Sequence, residues 1–435
     1  MSEKKFDIIL FGVTGLVGRY GLKNMFEITS KYDVGILWAV AGRNTTQIRQ
    51  ILKQLHTDTN DESILQTPVL FADMTDAESI HELVKQTKIV LNFCGPLRQL
   101  GEVVVKACIE HGTHYLDLSA EPNFIEKVQL DYDEEAKKAK IYVCNSCGFD
   151  SVAYEMGVIF LQENFNGLLN SVETYLRYGT DKHGLPGPDF NTSTWNSIID
   201  LLANSRELKD LRKRQQNWLP VLTPKLQPKI VPFRPKVEEG WAVPSPSADL
   251  SVMLRTQQYI QKETKKRPIQ IASYFMFTNI FHIIFFVISG AILLTFSKFQ
   301  WGRNMLFQHP SFFTGGVFGG EEPKEEKLDN NWCSLTLVGK GWERVEDHEI
   351  REPDTEIVAR IKGYNTGYNL TSLCLVLSGV LLMVEPQNFP RRKGVLTPGV
   401  LLSGTTLIQK LHENGLKFEL VGKKTLRGKY IKNKL

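Results

Sequence analysis

Six apolar runs alternate with helical stretches over residues 1–150, and this alternation narrows the fold more than anything else in the chain. The first run ends in "ILFG" at Gly12, and "LVGRYGLKNMFEIT" follows with helical spacing. "ILWAVAG" (36–42) is nearly continuous in apolar residues, as a strand covered on both faces must be. A helix around Thr46 to Leu55 leads to strand "PVLFAD" (68–73), helix "DAESIHELVKQ" and strand "KIVLNFCG" (88–95). Helix "GEVVVKACIEHG", strand "HYLDLS" (114–119), helix "NFIEKVQLDYDEEAKKA" and a sixth strand, "IYVCNSCG" (141–148), complete the series. Such alternation requires parallel pairing through right-handed crossovers. It predicts an α/β, doubly wound Rossmann sheet over residues 1–155.

The turn after the first strand reads "GVTGLVG", with Gly12, Gly15 and Gly18 spaced GxxGxxG. Between a first strand and a first helix, this spacing is that of a dinucleotide cradle. Gly12 permits the turn, Gly15 lets backbone approach a pyrophosphate, and Gly18 lets the helix pack on the sheet. Thr14, Leu16 and Val17 supply the remaining backbone, with amides aimed at the phosphates. A ligand-free strand–helix turn is the alternative. The second strand should end in the residue that reads the adenine ribose. It ends in "AGRN", so Arg43 stands where an NAD site would place an acid. A guanidinium there suits a 2′-phosphate, so NADP is expected before NAD.

Ligands of such sheets lie outside the carboxyl ends of the strands. Asp73 ends the third strand and is placed to accept from an adenine amino group. Cys94, Gly95 and Pro96 end the fourth, beside the expected nicotinamide ribose. Asp117 and Ser119 end the fifth, with Glu121 just beyond; each of these acids and hydroxyls also suits a plain cap or turn. Asp150 and Ser151 follow the sixth strand. For the proton that must accompany hydride transfer, Asp150 and Tyr178 are the catalytic candidates, with His183 in reserve. "YGTDK" (178–182) imitates a Tyr-x-x-x-Lys dyad, but Gly179 at a strand end argues against the helix such a dyad needs.

Residues 156–435 change pattern and read as an α+β domain. "SVETYLRYG" (171–179), "WCSLTLVGKGW" (332–342) and "EIVARIKGYN" (356–365) read as strands, and "TSLCLVLSGVLLM" (371–383) as a buried helix. The exception is segment 268–297, which carries no charged residue and contains "IASYFMFTNIFHIIFFVISGAILLTF" (271–296). As one helix it is long enough to cross a bilayer. Three readings fit: a membrane or lipid-droplet anchor, a buried helix or homodimer interface, and the wall of a lipid-substrate tunnel. The last fourteen residues, "GKKTLRGKYIKNKL", hold six Lys or Arg and no acid. They read as a solvated tail or a contact for an anionic membrane surface. A net charge of +4 and the absence of a binding motif exclude nucleic acid as a partner. Six cysteines in a chain of this length give no disulfide framework. Cys144 and Cys147 form a CxxC with no second ligand pair nearby, so no metal site is expected.

"FGVTGLVG", "WAVAGRN", "VLNFCGP", "GEVVVKACIEHGTHYLDLSAEP", "NSCGFDSVAYEMG", the apolar run near 280 and "GVLTPGV" together resemble the saccharopine dehydrogenase-like oxidoreductases of animals, over essentially the whole chain. The resemblance implies a nicotinamide-binding Rossmann domain joined to a saccharopine reductase-like domain, and a cytosol-facing location on lipid droplets or intracellular membranes. The wider family includes trans-acting enoyl reductases of bacterial glycolipid assembly, which points to lipid metabolism and glycolipid biosynthesis. Saccharopine itself carries three carboxylates, and Arg98 and Arg177 are the best-placed cations for them. A long apolar run suits an apolar substrate with a reducible C=C, C=O or C=N bond better. The expected function is therefore NADP(H)-dependent reduction of a lipid-like small molecule. A catalytically silent droplet protein is the alternative, and a saccharopine reductase a weaker one.

Overall fold

The computed structural model of the chain describes residues 4–215, 219–349 and 351–426, which form two compact units. The first unit joins Met1–Val152 to two later pieces, Arg206–Gln215 and Thr366–Leu411. Its strands are β1 (Phe6–Phe11), β2 (Trp38–Gly42), β3 (Val69–Phe71), β4 (Thr87–Asn92), β5 (His114–Asp117) and β6 (Tyr142–Cys144). They lie in the order β3-β2-β1-β4-β5-β6, and the strand Gly394–Leu396 adds a seventh edge beyond β6. Every pairing is parallel. Ile8, Ile9, Leu10, Ala39, Val40, Ala41, Ile89, Val90 and Leu91 are fully buried, which is why the central strands read as unbroken apolar runs.

The crossovers are α1 (Leu16–Lys31), α2 (Thr45–Thr59), α3 (Ala77–Lys85), α4 (Leu97–Glu110) and α5 (Pro122–Lys138). Two start at side-chain caps: Asn44 accepts from the Gln47 amide, and Asp76 from those of Glu78 and Ser79. The helix Thr371–Val384 belongs to this unit, although its place in the sequence predicted the second. It lies against α1 and across β1, β4 and β5, buried from Ser372 to Leu382. A methyl group at Gly379 would stand 2.7 Å from Cδ2 of Leu91, so the helix rests almost directly on β4. The side chain of Asn24 donates to the Ser372 hydroxyl at 2.8 Å and ties the helix to α1. The division at residue 155 is therefore corrected: the chain leaves the first unit after Val152 but returns to it with Arg206–Gln215 and Thr366–Leu411, the latter bringing a helix that covers β4 and β5 beside α1.

The second unit comprises Ala153–Ser205, Gln216–Asn365 and His412–Leu435. Its six-stranded sheet runs Lys417–Thr425, Thr355–Tyr364, Asn331–Trp342, Leu168–Thr180, Gln270–Phe277, Trp241–Pro244. Pairing is antiparallel except between Leu168–Thr180 and Gln270–Phe277. Helix α6 (Phe149–Asn164) packs on one face: a methyl group at Gly157 would meet Leu337 and Ile361 at 2.8 Å. On the other face Glu238 accepts from Arg360 at 2.8 Å and Thr336 at 2.6 Å.

The apolar run departs from the single helix expected. Residues 270–277 form a strand inside the second sheet, and a helix of 17 residues, Ile280–Phe296, follows. At 1.5 Å per residue this helix is about 26 Å long, short of a hydrocarbon core of about 30 Å. Ile271, Ala272 and Tyr274 are buried as strand residues should be. The helix is not buried: Phe281, Ile284, Phe285, Val287 and Ile288 are all exposed. Of the basic tail, residues 422–426 are described and continue or follow the edge strand, while 427–435 lie outside the described residues.

Two expected outcomes test these cores. Leu375→Ala empties a fully buried position of the returning helix. It should remove about 2–5 kcal/mol, read as a lower urea midpoint. Glu155, also buried, accepts from the Thr256 hydroxyl, and burial pushes its carboxyl up to about 7 from an ordinary 4.5. A raised folded-state value means that its stabilising contribution is complete below 4.5 and is lost as pH climbs through about 7. Glu155→Gln should flatten the fall of the urea midpoint over that window, and an unchanged pH profile would refute the assignment.

Candidate functional site

The site is built at the carboxyl edge of the first sheet, where β1 stands between β2 and β4 and the strand order reverses direction. Gly12 leaves β1 at φ +101°, a conformation that excludes an ordinary side chain. A methyl group there would also press to 2.5 Å from the Cys94 sulfur. At Gly18 a methyl group would lie 2.3 Å from the Gly12 carbonyl oxygen and 2.8 Å from the Val13 Cα, so the first turn of α1 sits directly on the strand–helix turn. Gly15, the N-cap of α1, has nothing closer than 3.8 Å and faces open space. No side chain caps this helix and no acid occupies its first turn. The amides following Gly15, with Thr14, Leu16 and Val17 around them, are left to an anionic ligand.

Three side chains surround that turn on neighbouring strand ends. Arg43 is exposed immediately after β2. Asp73 follows β3 and is held below the usual carboxylate range, first by the Thr75 amide and hydroxyl, with Arg43 adding a smaller pull. Cys94 follows β4, and burial pushes its thiol up to about 12 against an opposing pull from Arg43. It is thus a neutral packing group against Gly12, not a thiolate. Asn92 fixes the loop it sits on, accepting from the Cys94 amide at 2.9 Å and donating to the Tyr115 hydroxyl at 3.0 Å. Gly95 and Pro96, joined by a cis bond, carry this loop into α4 and leave open space at Gly95.

Asp117 and Ser119 are placed differently from the expectation that they touch a ligand. Asp117 is wholly buried, and its carboxylate accepts from the Ser119 amide at 2.9 Å, the Ser119 hydroxyl at 2.8 Å, Asn145 at 2.7 Å and the Ser146 amide at 3.1 Å. Burial raises its carboxyl and these four donors oppose the rise. The pair clamps the ends of β5 and β6 together, with Ser146 held at φ +64°. Asn145 and Ser146 were not anticipated as part of this clamp; "NSCG" looked only like the end of a strand.

Among the remaining candidates, Asp150 lies in the first turn of α6, at the carboxyl side of β6, and is exposed. Tyr178 is half exposed on the strand Leu168–Thr180 of the second unit. Gly179 and Thr180 continue that strand, so Tyr178 and Lys182 share no helical face. Both candidate cations for a polycarboxylate face acids within their own units. Arg98 contacts Glu207 at 3.4 Å, and Arg177 lies 4.0 Å from Glu238. Cys144 and Cys147 are buried and not joined by a disulfide.

A parallel sheet with this strand order, a glycine-rich turn at its reversal point and an exposed arginine just after β2 are the features of a dinucleotide-binding domain. Residues 8–144 match the family described as the saccharopine dehydrogenase NADP binding domain. The chain is 30% identical to the human saccharopine dehydrogenase-like oxidoreductase, across 97% of its own length and 98% of the relative's. It belongs to the saccharopine dehydrogenase-like oxidoreductase family. A Caenorhabditis elegans relative, 29% identical over 96% of this chain and 98% of its own, is named lipid droplet localized protein. An Arabidopsis thaliana relative, 30% identical over 98% of both chains, is named a probable mitochondrial saccharopine dehydrogenase-like oxidoreductase. Among solved structures, the fold is similar to apo saccharopine dehydrogenase (L-Glu forming) of Saccharomyces cerevisiae, with a TM-score of 0.53 and 13% identity over 96% of this chain and 100% of that one. The cofactor is NADP, and the uncapped start of α1, with open space at Gly15 and Arg43 exposed just after β2, fits it.

Titration of the purified protein should show NADPH bound before NADH. Gly15→Asp should abolish both by placing a carboxylate where the pyrophosphate approaches. Arg43→Ala should weaken NADPH by about tenfold or more with little change in NADH, since one charge-assisted contact contributes about 1.5–3 kcal/mol. Equal losses for the two nucleotides would remove Arg43 from the 2′-phosphate position.

Proposed function

We propose that the protein is an NADPH-dependent reductase of an apolar, lipid-like substrate carrying a C=C, C=O or C=N bond, working on the surface of a lipid droplet or intracellular membrane. The observation that carries the reading is the exposed helix Ile280–Phe296. Phe281 is 75% exposed and Val287 60%, and the exposed positions 284–288 run consecutively, so no polar face turns to water. Phe299, Trp301, Met305, Phe307 and Phe312 extend the surface through the helices Gln300–Gln308 and Pro310–Thr314. Soluble chains rarely leave so contiguous an apolar surface in water. Burying each such side chain in lipid contributes roughly 1 kcal/mol or more. Several together exceed a single acyl anchor, which binds membranes only marginally. Among the same helices lies an open groove of about 410 Å3, lined by Phe307, Pro310 and Phe312 together with the polar Thr192, Gln308, His309 and Ser311.

Bound NADPH supplies the hydride. The amides opening α1 hold the pyrophosphate, Arg43 the 2′-phosphate, and Asp73 the adenine. The Cys94–Pro96 loop, braced by Asn92, lines the nicotinamide end. The clamp of Asp117 and Ser119 keeps the β5 and β6 ends in register without touching the ligand. Asp150, at the start of α6, is the first candidate for the proton that follows the hydride, and Tyr178 the second. The names of the worm and plant relatives point to two different compartments; the apolar surface favours a droplet or the cytosolic face of a membrane.

Flotation with neutral phospholipid vesicles and with emulsified triacylglycerol tests the surface. The wild-type protein should float with lipid, and the triple variant Phe281→Ser, Phe285→Ser, Ile288→Ser should stay in the aqueous fraction with NADPH affinity unchanged. Turnover of an emulsified enoyl or carbonyl lipid should fall in the same variant, while a short soluble analogue is reduced as before. Flotation of the variant equal to the wild type would overturn the reading. NADPH binding without turnover of any such lipid would favour a catalytically silent droplet protein.

A further inference from the structure

On the helices α3 and α4, His81, Glu110 and His111 bring three ligand atoms to one point. His81 is on α3, Glu110 is the last residue of α4 and His111 is its C-cap. Nδ1 of His81 lies 3.0 Å from Nε2 of His111 and 3.6 Å from a carboxylate oxygen of Glu110. All three atoms fall within 4.8 Å of one another. Donors bound at 2.0–2.1 Å around a tetrahedral ion stand roughly 3.3 Å apart, between the two measured separations. The two imidazole rings meet at 86° with centroids 5.2 Å apart, so their nitrogens converge without the rings stacking.

We infer that His81, Glu110 and His111 form a surface site for a borderline divalent cation such as Zn2+, which joins α3 to α4 and leaves an open coordination position for water. Two imidazoles and one carboxylate match the donor preference of such ions over Mg2+ or Ca2+. The site sits at the C-terminal end of α4, where the helix dipole favours positive charge. Glu82 also lies close enough to feel both imidazoles. Two cations stand nearby. The Lys85 ammonium is already paired with Glu82 at 2.6 Å, and the Lys4 ammonium donates to the Gly112 carbonyl and the Thr113 hydroxyl. Burial, followed by the charge of His81, holds His111 below its ordinary value. Without a metal, the same nitrogens share a hydrogen bond. That bond is what the proposal must be tested against.

The test uses the full-length protein after treatment with a chelator. Zn2+ is titrated in competition with a chromophoric chelator, and Co2+ binding is followed by visible absorption. One equivalent of each ion should bind, and Co2+ should give the absorption of a site with nitrogen and oxygen donors. His81→Gln and His111→Gln should each weaken Zn2+ by at least about tenfold. Glu110→Gln, at an exposed position that folding does not need, should weaken it in the same direction. NADPH affinity should be unchanged in all three variants. Failure of the wild-type protein to bind an equivalent above the level of the His81→Gln, His111→Gln double variant would overturn the proposal. Retention of the equivalent in that double variant would overturn it too, by placing the ion elsewhere.

Discussion

The approach of α1 to the turn beneath it governs the nucleotide half of this molecule. Gly18 leaves no room for a methyl group between the helix and the Gly12 carbonyl oxygen, and Gly12 leaves none before the Cys94 loop. Contact this tight fixes three things at once: the direction of α1, the position of its uncapped amides, and the distance between the ends of β1 and β4. A side chain at either glycine would push the helix off the sheet, and the crevice would lose its floor. Gly15, open on its outer side, is the one glycine of the three whose space is left for a ligand.

A second constraint acts on the far side of the same edge. The buried carboxylate of Asp117 accepts four hydrogen bonds from the segments that follow β5 and β6. A buried carboxylate is tolerated only when its oxygens are this fully occupied. The loops at the carboxyl ends of β4, β5 and β6 are therefore stiffened by Asn92 and Asp117, polar side chains facing inward. Arg43 and Asp150 are exposed at the same edge, while Asp73 accepts from the Thr75 amide and hydroxyl.

The second unit combines opposite surface chemistries. Its sheet carries charge pairs on one face, with Glu238 facing Arg177 and Arg360. Directly after the strand Gln270–Phe277, the chain enters a helix with almost no polar surface. Such a helix is hard to keep in water and easy to keep at a lipid boundary. The proximity of sheet and apolar helix in sequence explains why the two read as one uninterrupted apolar run: a buried strand and an exposed apolar helix make the same demand on composition.

The local rules written into the sequence determined much of this protein. Alternating strand and helix set the parallel sheet, and the spacing of Gly12, Gly15 and Gly18 set the cradle, because both depend on near neighbours and on side-chain size. Arg43 was readable for the same reason: it sits one residue past a strand whose end is unmistakable. Tertiary structure decided what depends on distant partners. It sent Thr371–Val384 to the first sheet, where the helix packs beside α1 over β4 and β5. It turned Asp117 and Ser119 inward, where donors from β6 awaited them. It split residues 271–296 into strand and helix, because pairing with Leu168–Thr180 claims backbone groups that composition does not reveal. It also brought His81 to Glu110 and His111, 29 and 30 residues away in sequence and joined only by the packing of α3 on α4.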